Sequence, residues 1–345
     1  MNTMAELHAV LVCPYCHEKL LISPEYSRCN RCDRTYPVVD GIHDFLEASE
    51  KETARFYENW YREPYKAYNL DGLGRIIKKS PFIEKYDHLF RYILYTQYKR
   101  ERFFQEVMKK LKESCPDPLI LDMGCGGGNP DIIESGTICG IDYSTLAMRN
   151  TLAQQHYYML MTCNATRLPF EPETFDCIVS SDFIGHIPPE GKERLFSEMN
   201  RVLKKGGLCA HVIETDSDNF VKEFAKGYPD LYLKYFIEGI GGHFGLEYPS
   251  DVLRRFINAG FAPVSIKKYS TYIWDIESFI ALFDNEYKEK SFLLRSVLSC
   301  YKIACENFSV KVTATAILGL FAYLADIISP LSKAEGILGI WIKER

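Results

Sequence analysis

From Pro118 onward, short apolar runs alternate with polar, helix-like stretches, and no other feature limits the fold as strongly. Residues 119–122, 137–142, 157–163, 175–180 and 208–214 read as strands, and residues 190–203 read as a helix stopped by Lys204-Lys-Gly-Gly. Strands separated by helices build a parallel sheet, because parallel neighbours need a crossover that packs back on the sheet. A helix at 249–259, stopped by Gly260, leads to a sixth run at 263–268, and a seventh lies at 337–342. The expected architecture is α/β: an open, doubly wound sheet. Two insertions, 215–248 and the mainly helical 276–331, leave its strand ends.

The first strand runs into Asp122-Met-Gly124-Cys125-Gly126-Gly-Gly128. Glycines there let the backbone turn sharply and pass close to a ligand. Asn129-Pro130 suits a helix start, with proline at the first helical position. Asp142, twenty residues after Asp122, closes the second strand, where a carboxylate accepts from ribose hydroxyls. The pattern is DxGxGxG rather than GxGxxG, and no GK[ST] follows, which excludes a P-loop.

Four of the twelve cysteines form Cys13-Pro-Tyr-Cys16 and Cys29-Asn-Arg-Cys32, with twelve residues between the pairs. Each pair on a tight turn supplies two corners of a tetrahedron, the geometry of a four-thiolate Zn²⁺ site. Four ligands leave no place for water, so the metal would be structural, folding a segment too small to bury a core. The run Arg34-Thr-Tyr-Pro-Val-Val-Asp-Gly-Ile suggests a hairpin closed by Asp-Gly. The other eight cysteines, and a start without a signal-peptide pattern, fit reduced thiols in the cytoplasm.

Residues 118–269, with the last strand, resemble class I S-adenosylmethionine-dependent methyltransferases, in the subgroup acting on ubiquinone, menaquinone and other small molecules. The resemblance rests on Leu-Asp122-Met-Gly-Cys-Gly-Gly-Gly, Gly-Ile-Asp142-Tyr-Ser, Cys-Asn164-Ala165-Thr-Arg-Leu-Pro-Phe, Phe175-Asp-Cys-Ile-Val-Ser-Ser and Glu198-Met-Asn-Arg-Val-Leu-Lys-Lys-Gly-Gly. It implies a seven-stranded, Rossmann-like sheet whose last strand is antiparallel. It also implies S-adenosylmethionine as cofactor. Asp122, Gly124, Cys125 and Gly126 would line its methionine and ribose. Asp142 would hold the ribose hydroxyls, with Tyr143 beside it. Asn164, where the family usually has Asp, and Ala165 would contact adenine. Ser181 and Asp182 would face the methyl group. The N-terminal segment is similar to zinc ribbons that accompany methyltransferases, on Leu11-Val-Cys-Pro-Tyr-Cys and Tyr36-Pro-Val-Val-Asp-Gly-Ile. The domain reading is a zinc ribbon at 1–46, a helical cap at 47–117 and a core at 118–275. A helical lid at 276–331 and the last strand at 332–345 complete it.

Methyl transfer from a sulfonium is an in-line displacement that depends on positioning and exclusion of water. A base is needed only where the acceptor holds a proton of high pKa, and Asp182, His186 and His243 are the candidates near the strand ends. Ser180-Ser-Asp-Phe differs from the Asn-Pro-Pro-Tyr type of motif that the family uses for amines and amides. An O or C atom of a small, lipophilic or aromatic metabolite is the expected acceptor.

Two other readings stay open. The net charge is −5, yet residues 75–112 hold eleven Lys or Arg against four acids, a balance of +7 that leaves −12 elsewhere. Interleaved with Tyr and Phe, this segment suits RNA, but it reads more simply as the solvated face of helices with Phe90, Ile93, Leu94, Phe103, Phe104, Val107 and Leu111 inward. A non-catalytic protein whose ribbon docks a partner is the third reading. Residues 312–331 carry a stripe of Ile317, Leu320, Phe321, Leu324, Ile327, Ile328 and Leu331, opposite Thr315, Gly319, Ala322, Ala325 and Asp326. The stripe predicts a buried or half-buried helix, and less readily a helix lying on a membrane surface. Nothing in the sequence sets an oligomeric state.

Overall fold

The computed structural model describes residues 8–62, 85, 95–149, 152–238, 242–269 and 280–344. The cysteine segment is a meander of β1 (Leu20–Ile22), β2 (Tyr26–Cys29), β3 (Thr35–Val39) and β4 (Ile42–Asp44). Asp40 and Gly41 link β3 to β4 with φ of 54° and 78°, the left-handed pair that a two-residue type I′ turn requires. Next come α1 (Lys51–Arg62), α2 (Tyr95–Ser114), β5 (Leu119–Met123), β6 (Thr137–Asp142), β7 (Met159–Thr162) and β8 (Phe175–Ser181). The chain continues with α3 (Pro189–Val202), β9 (Leu203–Glu214), α4 (Pro249–Asn258), β10 (Phe261–Tyr269), α5 (Phe292–Glu306), α6 (Phe308–Ile328) and β11 (Gly336–Lys343).

The strands form one sheet in the order β1-β2-β3-β4-β7-β6-β5-β8-β9-β11-β10. Strands β5 to β9 are parallel, and β11 runs antiparallel between β9 and β10. The expected seven strands are present, but the sheet has eleven. The cause lies at β4, which pairs in parallel with β7 and so adds the cysteine meander to the sheet edge. Phe45 N–H donates to the Thr162 carbonyl at 2.8 Å, and the Thr162 hydroxyl donates to Asp44 Oδ1 at 2.7 Å.

Alternate residues of β5 feed two cores: Leu119, Leu121 and Met123 face one, Ile120 the other. A strand covered on both faces needs apolar residues at every position, hence the unbroken runs in the sequence. The first core takes Leu195, Phe196 and Met199 of α3, Val252 and Phe256 of α4, and Leu11, Tyr36 and Phe45 of the cysteine segment. The second takes Phe103, Phe104, Val107 and Leu111 of α2, as their spacing predicts. Phe90, Ile93 and Leu94 lie outside the described residues, as does residues 75–94 of the basic segment except Lys85.

One expectation is corrected. Asn129-Pro130 does not start a helix: turns at 130–134 return the chain to β6, which begins only seven residues after Pro130. In α6, a half-buried helix, the large apolar stripe turns outward. Ala322 is fully buried, with Gly319, Ala325 and Asp326 beside it, whereas Ile328 is 81% exposed and Ile317, Leu320, Phe321, Leu324 and Ile327 are exposed too. Small residues let α6 approach α2 closely, and Asp326 Oδ2 accepts from Lys99 Nζ at 2.7 Å. No helix among the described residues is long and apolar enough to cross a membrane.

Candidate active site

The strand order reverses between β5 and β8, and such a reversal opens a crevice at the carboxyl ends of the strands. Met123, Asp142, Ser181 and Glu214 end β5, β6, β8 and β9 there.

One side of the crevice is the glycine loop. Gly124, Gly126 and Gly128 have φ of 67°, 46° and 95°. A Cβ on Gly124 would lie 2.5 Å from the Phe183 ring, and one on Gly128 would lie 2.7 Å from the Ala153 backbone nitrogen. Gly126 N–H donates to Asp142 Oδ2 at 2.9 Å, and Ser144 N–H donates to Asp142 Oδ1 at 2.8 Å. The buried Cys125 donates its backbone N–H to the Ile141 carbonyl. Asp122 is sealed behind the loop, where Tyr157 donates its hydroxyl to Oδ2 at 2.6 Å and accepts from Asn129 N–H at 2.8 Å. Burial, with the nearby Asp142 charge, pushes the Asp122 carboxyl up to about 7 despite the Tyr157 hydrogen bond.

The far edge of this cradle is built partly by the N-terminal segment. Asn164 Oδ1 accepts from the Thr166 N–H and hydroxyl at 2.9 and 2.8 Å, and its amide donates to Glu50 Oε1 at 2.6 Å. Arg167 also pairs with Glu50. Ala165 is buried beside them. The Tyr57 ring of α1 stacks on Tyr143, with centroids 6.2 Å apart and planes at 13°.

The other side of the crevice is charged. Asp182 has φ of 55°, and Arg100 Nη2 donates to its Oδ2 at 2.5 Å; the Ser181 hydroxyl donates to the same oxygen at 3.3 Å. His186 follows on a single 3₁₀ turn, Ile184–His186. His243 comes from the loop before α4, and Gly245 N–H donates to the Gly185 carbonyl at 2.9 Å, fixing that loop against the turn. Glu214 stands between the imidazoles: its Oε1 is 2.9 Å from His243 Nε2, its Oε2 4.0 Å from His186 Nε2, and the ring centroids are 4.5 Å apart. Burial alone would raise the Glu214 carboxyl, but His243, His186 and Arg100 hold it below the usual carboxylate range, and Glu214 raises His243 although burial opposes it. Tyr57 lies edge-on to His186, and burial beside Asp142 and Glu214 pushes its phenol up to about 12.

The four cysteine sulfurs of the N-terminal segment converge. All Sγ atoms lie within 4.8 Å of one another, with Cys13–Cys32 at 3.6 Å and Cys16–Cys29 at 3.4 Å. A tetrahedron with Zn–S bonds of about 2.3 Å spaces its sulfurs by about 3.8 Å, so these residues fit the ion. The Tyr36 hydroxyl sits 3.2 Å from Cys13 Sγ.

Glu214, Tyr57, Glu50, Tyr157 and Arg100 are the site residues that motif reading missed. Glu214 had a signal, since an acid ending a strand is the same feature that marks Asp142. Tyr57, Glu50 and Arg100 come from segments with no motif, and only the fold brings them to the crevice.

Residues 121–211 match the family model described as a methyltransferase domain. The chain is 29% identical over 215 residues to a demethylmenaquinone methyltransferase of Bacillus cereus, covering 54% of this chain and 86% of that protein. It is 32% identical over 129 residues to a probable tRNA methyltransferase 9B of Bos taurus, covering 36% of this chain and 28% of that one. Among solved structures, geranyl diphosphate C-methyltransferase from Streptomyces coelicolor A3(2) superposes with a TM-score of 0.49 at 15% identity, over 86% of this chain and 99% of the other. Residues 121–211 thus form a methyltransferase domain, and the relatives, read with the strand order and the glycine loop, support S-adenosylmethionine-dependent methyl transfer.

Proposed function

We propose that the enzyme methylates an O or C atom of a small, lipophilic or aromatic metabolite. The observation that carries this reading is the facing of two groups across one crevice: the glycine loop with Asp142, and the His186–Glu214–His243 cluster. When bound, S-adenosylmethionine supplies a sulfonium methyl that the acceptor displaces in line, the C–S electron pair leaving on sulfur as the new bond forms.

In this reading Asp142 turns its carboxylate to the ribose hydroxyls, and Gly124, Cys125 and Gly126 line the methionine and ribose. Tyr143 and Ala165 flank the base. Asn164 holds the adenine edge through its contacts with Thr166 and Glu50 rather than as a free acceptor. Asp182 is read as a binding group, because a carboxylate beside a guanidinium is a weak base. His186 and His243 face the acceptor and, with Glu214, act as one unit. Cys13, Cys16, Cys29 and Cys32 hold a structural Zn²⁺. The reduced thiols at Cys125, Cys139, Cys163, Cys177 and Cys209 suit the cytoplasm.

A lipophilic acceptor gains support from the exposed apolar faces of α5 and α6, which include Phe292, Leu293, Ile303, Ile317, Phe321 and Ile328. Such a face suits peripheral contact with a bilayer that dissolves the acceptor. The name of the Bacillus cereus relative gives demethylmenaquinone as that protein's acceptor. RNA draws less support: Lys99 and Arg100 of the basic segment point at Asp326 and Asp182.

The test incubates the enzyme and labelled S-adenosylmethionine with cell extract and separates lipid, small-molecule, RNA and protein fractions. Label in the lipid or small-molecule fraction is expected. Label confined to RNA or protein would overturn the acceptor class, and absence of S-adenosylhomocysteine binding by calorimetry would overturn the cofactor site.

A further inference from the structure

We propose that His186, Glu214 and His243 form a second metal site, one that takes a divalent first-row transition ion at the acceptor end of the crevice. The inference rests on the methyltransferase reading for the position of the acceptor, and on three observations for the ion.

The first is the donor set. Two imidazoles and one carboxylate offer ligand atoms that lie within 4.8 Å of one another. An ion with bonds of about 2.0–2.2 Å spans ligand atoms about 3–4 Å apart, so small side-chain shifts suffice to close the site.

The second is the tautomer of His186. Its Nδ1 is 3.3 Å from the Gly242 carbonyl, which can only accept, so Nδ1 carries an N–H and Nε2 is the nitrogen left to ligate. This is the orientation that backbone carbonyls impose on metal-ligating histidines. Nε2 faces Glu214 Oε2 at 4.0 Å. An ion with bonds of about 2.0–2.2 Å to each atom spans this distance.

The third is Glu214 itself. Oε2 is sealed from solvent and makes no hydrogen bond, while Oε1 takes the His243 contact. A buried carboxylate oxygen without a donor is costly, and an ion would satisfy it. The surroundings hold the three ligands still. The Gly245–Gly185 hydrogen bond ties the His243 loop to the His186 turn, and buried Lys192 donates to the Ile184 carbonyl at 2.7 Å. A Cβ on Gly185 would come within 3.1 Å of Glu214 Oε2, so glycine keeps that approach open.

Three protein ligands leave open positions on the ion for water and substrate. The acceptor class then narrows to molecules presenting an oxygen donor, such as a hydroxyl or enol, at or beside the methylated atom. A hydroxyl bound to the ion would lose its proton to solvent water before the displacement, because a bound cation lowers its pKa. His186 and His243 would then position the ion rather than accept the proton.

The test uses the full chain with Zn²⁺ on its cysteines, titrated with Co²⁺ alone and followed by metal analysis and d–d absorption. One additional Co²⁺ per chain is expected, without the near-ultraviolet charge transfer of a cobalt–thiolate bond. Glu214→Gln and His243→Gln should weaken uptake about a hundredfold or more, with S-adenosylhomocysteine affinity retained. His186→Gln replaces either variant that fails to fold. A chain that binds S-adenosylhomocysteine but takes no Co²⁺ beyond the cysteine site would overturn the proposal, as would uptake unchanged in the variants. Loss of S-adenosylhomocysteine binding in the wild type would instead overturn the methyltransferase reading on which it rests.

Discussion

Asp122 and His211 are both sealed from water, and burial moves them in opposite directions. It disfavours the charged form of each, so the Asp122 carboxyl rises to about 7 and the His211 imidazole falls to about 3. Unfolded, they return to their ordinary values, 3.8 and 6.5. Between pH 4 and pH 6.5 the native state therefore holds a proton on Asp122 that the unfolded chain has lost, and lacks one on His211 that the unfolded chain holds. The Asp122 contribution to stability falls as pH rises through this window, and the His211 contribution rises. Each is worth at most about 1.4 kcal/mol per pH unit. Urea unfolding across this range should show Asp122→Asn making the slope of stability against pH more positive. His211→Asn should make it less positive by a similar amount. Parallel slopes for wild type and both variants would contradict this account. Gly124 gives a sharper local test. Gly124→Ala must place a Cβ 2.5 Å from Phe183 at a φ of 67°, so S-adenosylhomocysteine binding should drop at least about tenfold by calorimetry.

At the scale of elements, α6 shows what a sequence does and does not disclose. Its periodicity gives a helix with two unlike faces, and both are present. Which face turns inward depends on the partner, and α2 offers Lys99 to a buried acid. Alanines and a glycine fit that close contact, and the large residues are left outside. The strands were more legible, because residues buried on both sides of a sheet must be apolar throughout, and Asp122, Gly124 and Asp142 share one local loop. Tyr57, Glu50 and Glu214 were not, since they reach the crevice from elements far apart in the chain. The α2–α6 contact yields its own prediction. The Lys99 and Asp326 side chains are 19% and 4% exposed, so removing one partner strands a charge. Asp326→Ala should destabilise the chain by about 3 kcal/mol in urea, and Lys99→Met with Asp326→Leu should recover most of it. Equal losses in the single and double variants would mean that the pair is not what joins these helices.

For the whole molecule, the cysteine cluster and the crevice are coupled through the sheet edge. The cluster fixes the turns that hold β1 to β4, and β4 lies in parallel register with β7. Just past β4, Glu50 meets Asn164 and Arg167, while Arg167 also lies over the Tyr15 ring, between Cys13 and Cys16, at 4.8 Å. Leu11 and Phe45 of the same segment fill the core beneath β7. Loosening the cluster thus loosens the Asn164 wall of the crevice. Removing the proposed Zn²⁺ with a chelator should lower S-adenosylhomocysteine affinity by about tenfold, within the usual range for coupled sites, and lower the melting temperature as well. Cys29→Ser should reproduce both effects without chelator. The His186–Glu214–His243 group lies at the other end of the crevice, so a Glu214→Gln variant should keep its affinity until the chelator is added, and then lose as much as the wild type. An affinity that survives loss of the cysteine-bound ion would show that the meander ornaments the sheet edge rather than supporting the site.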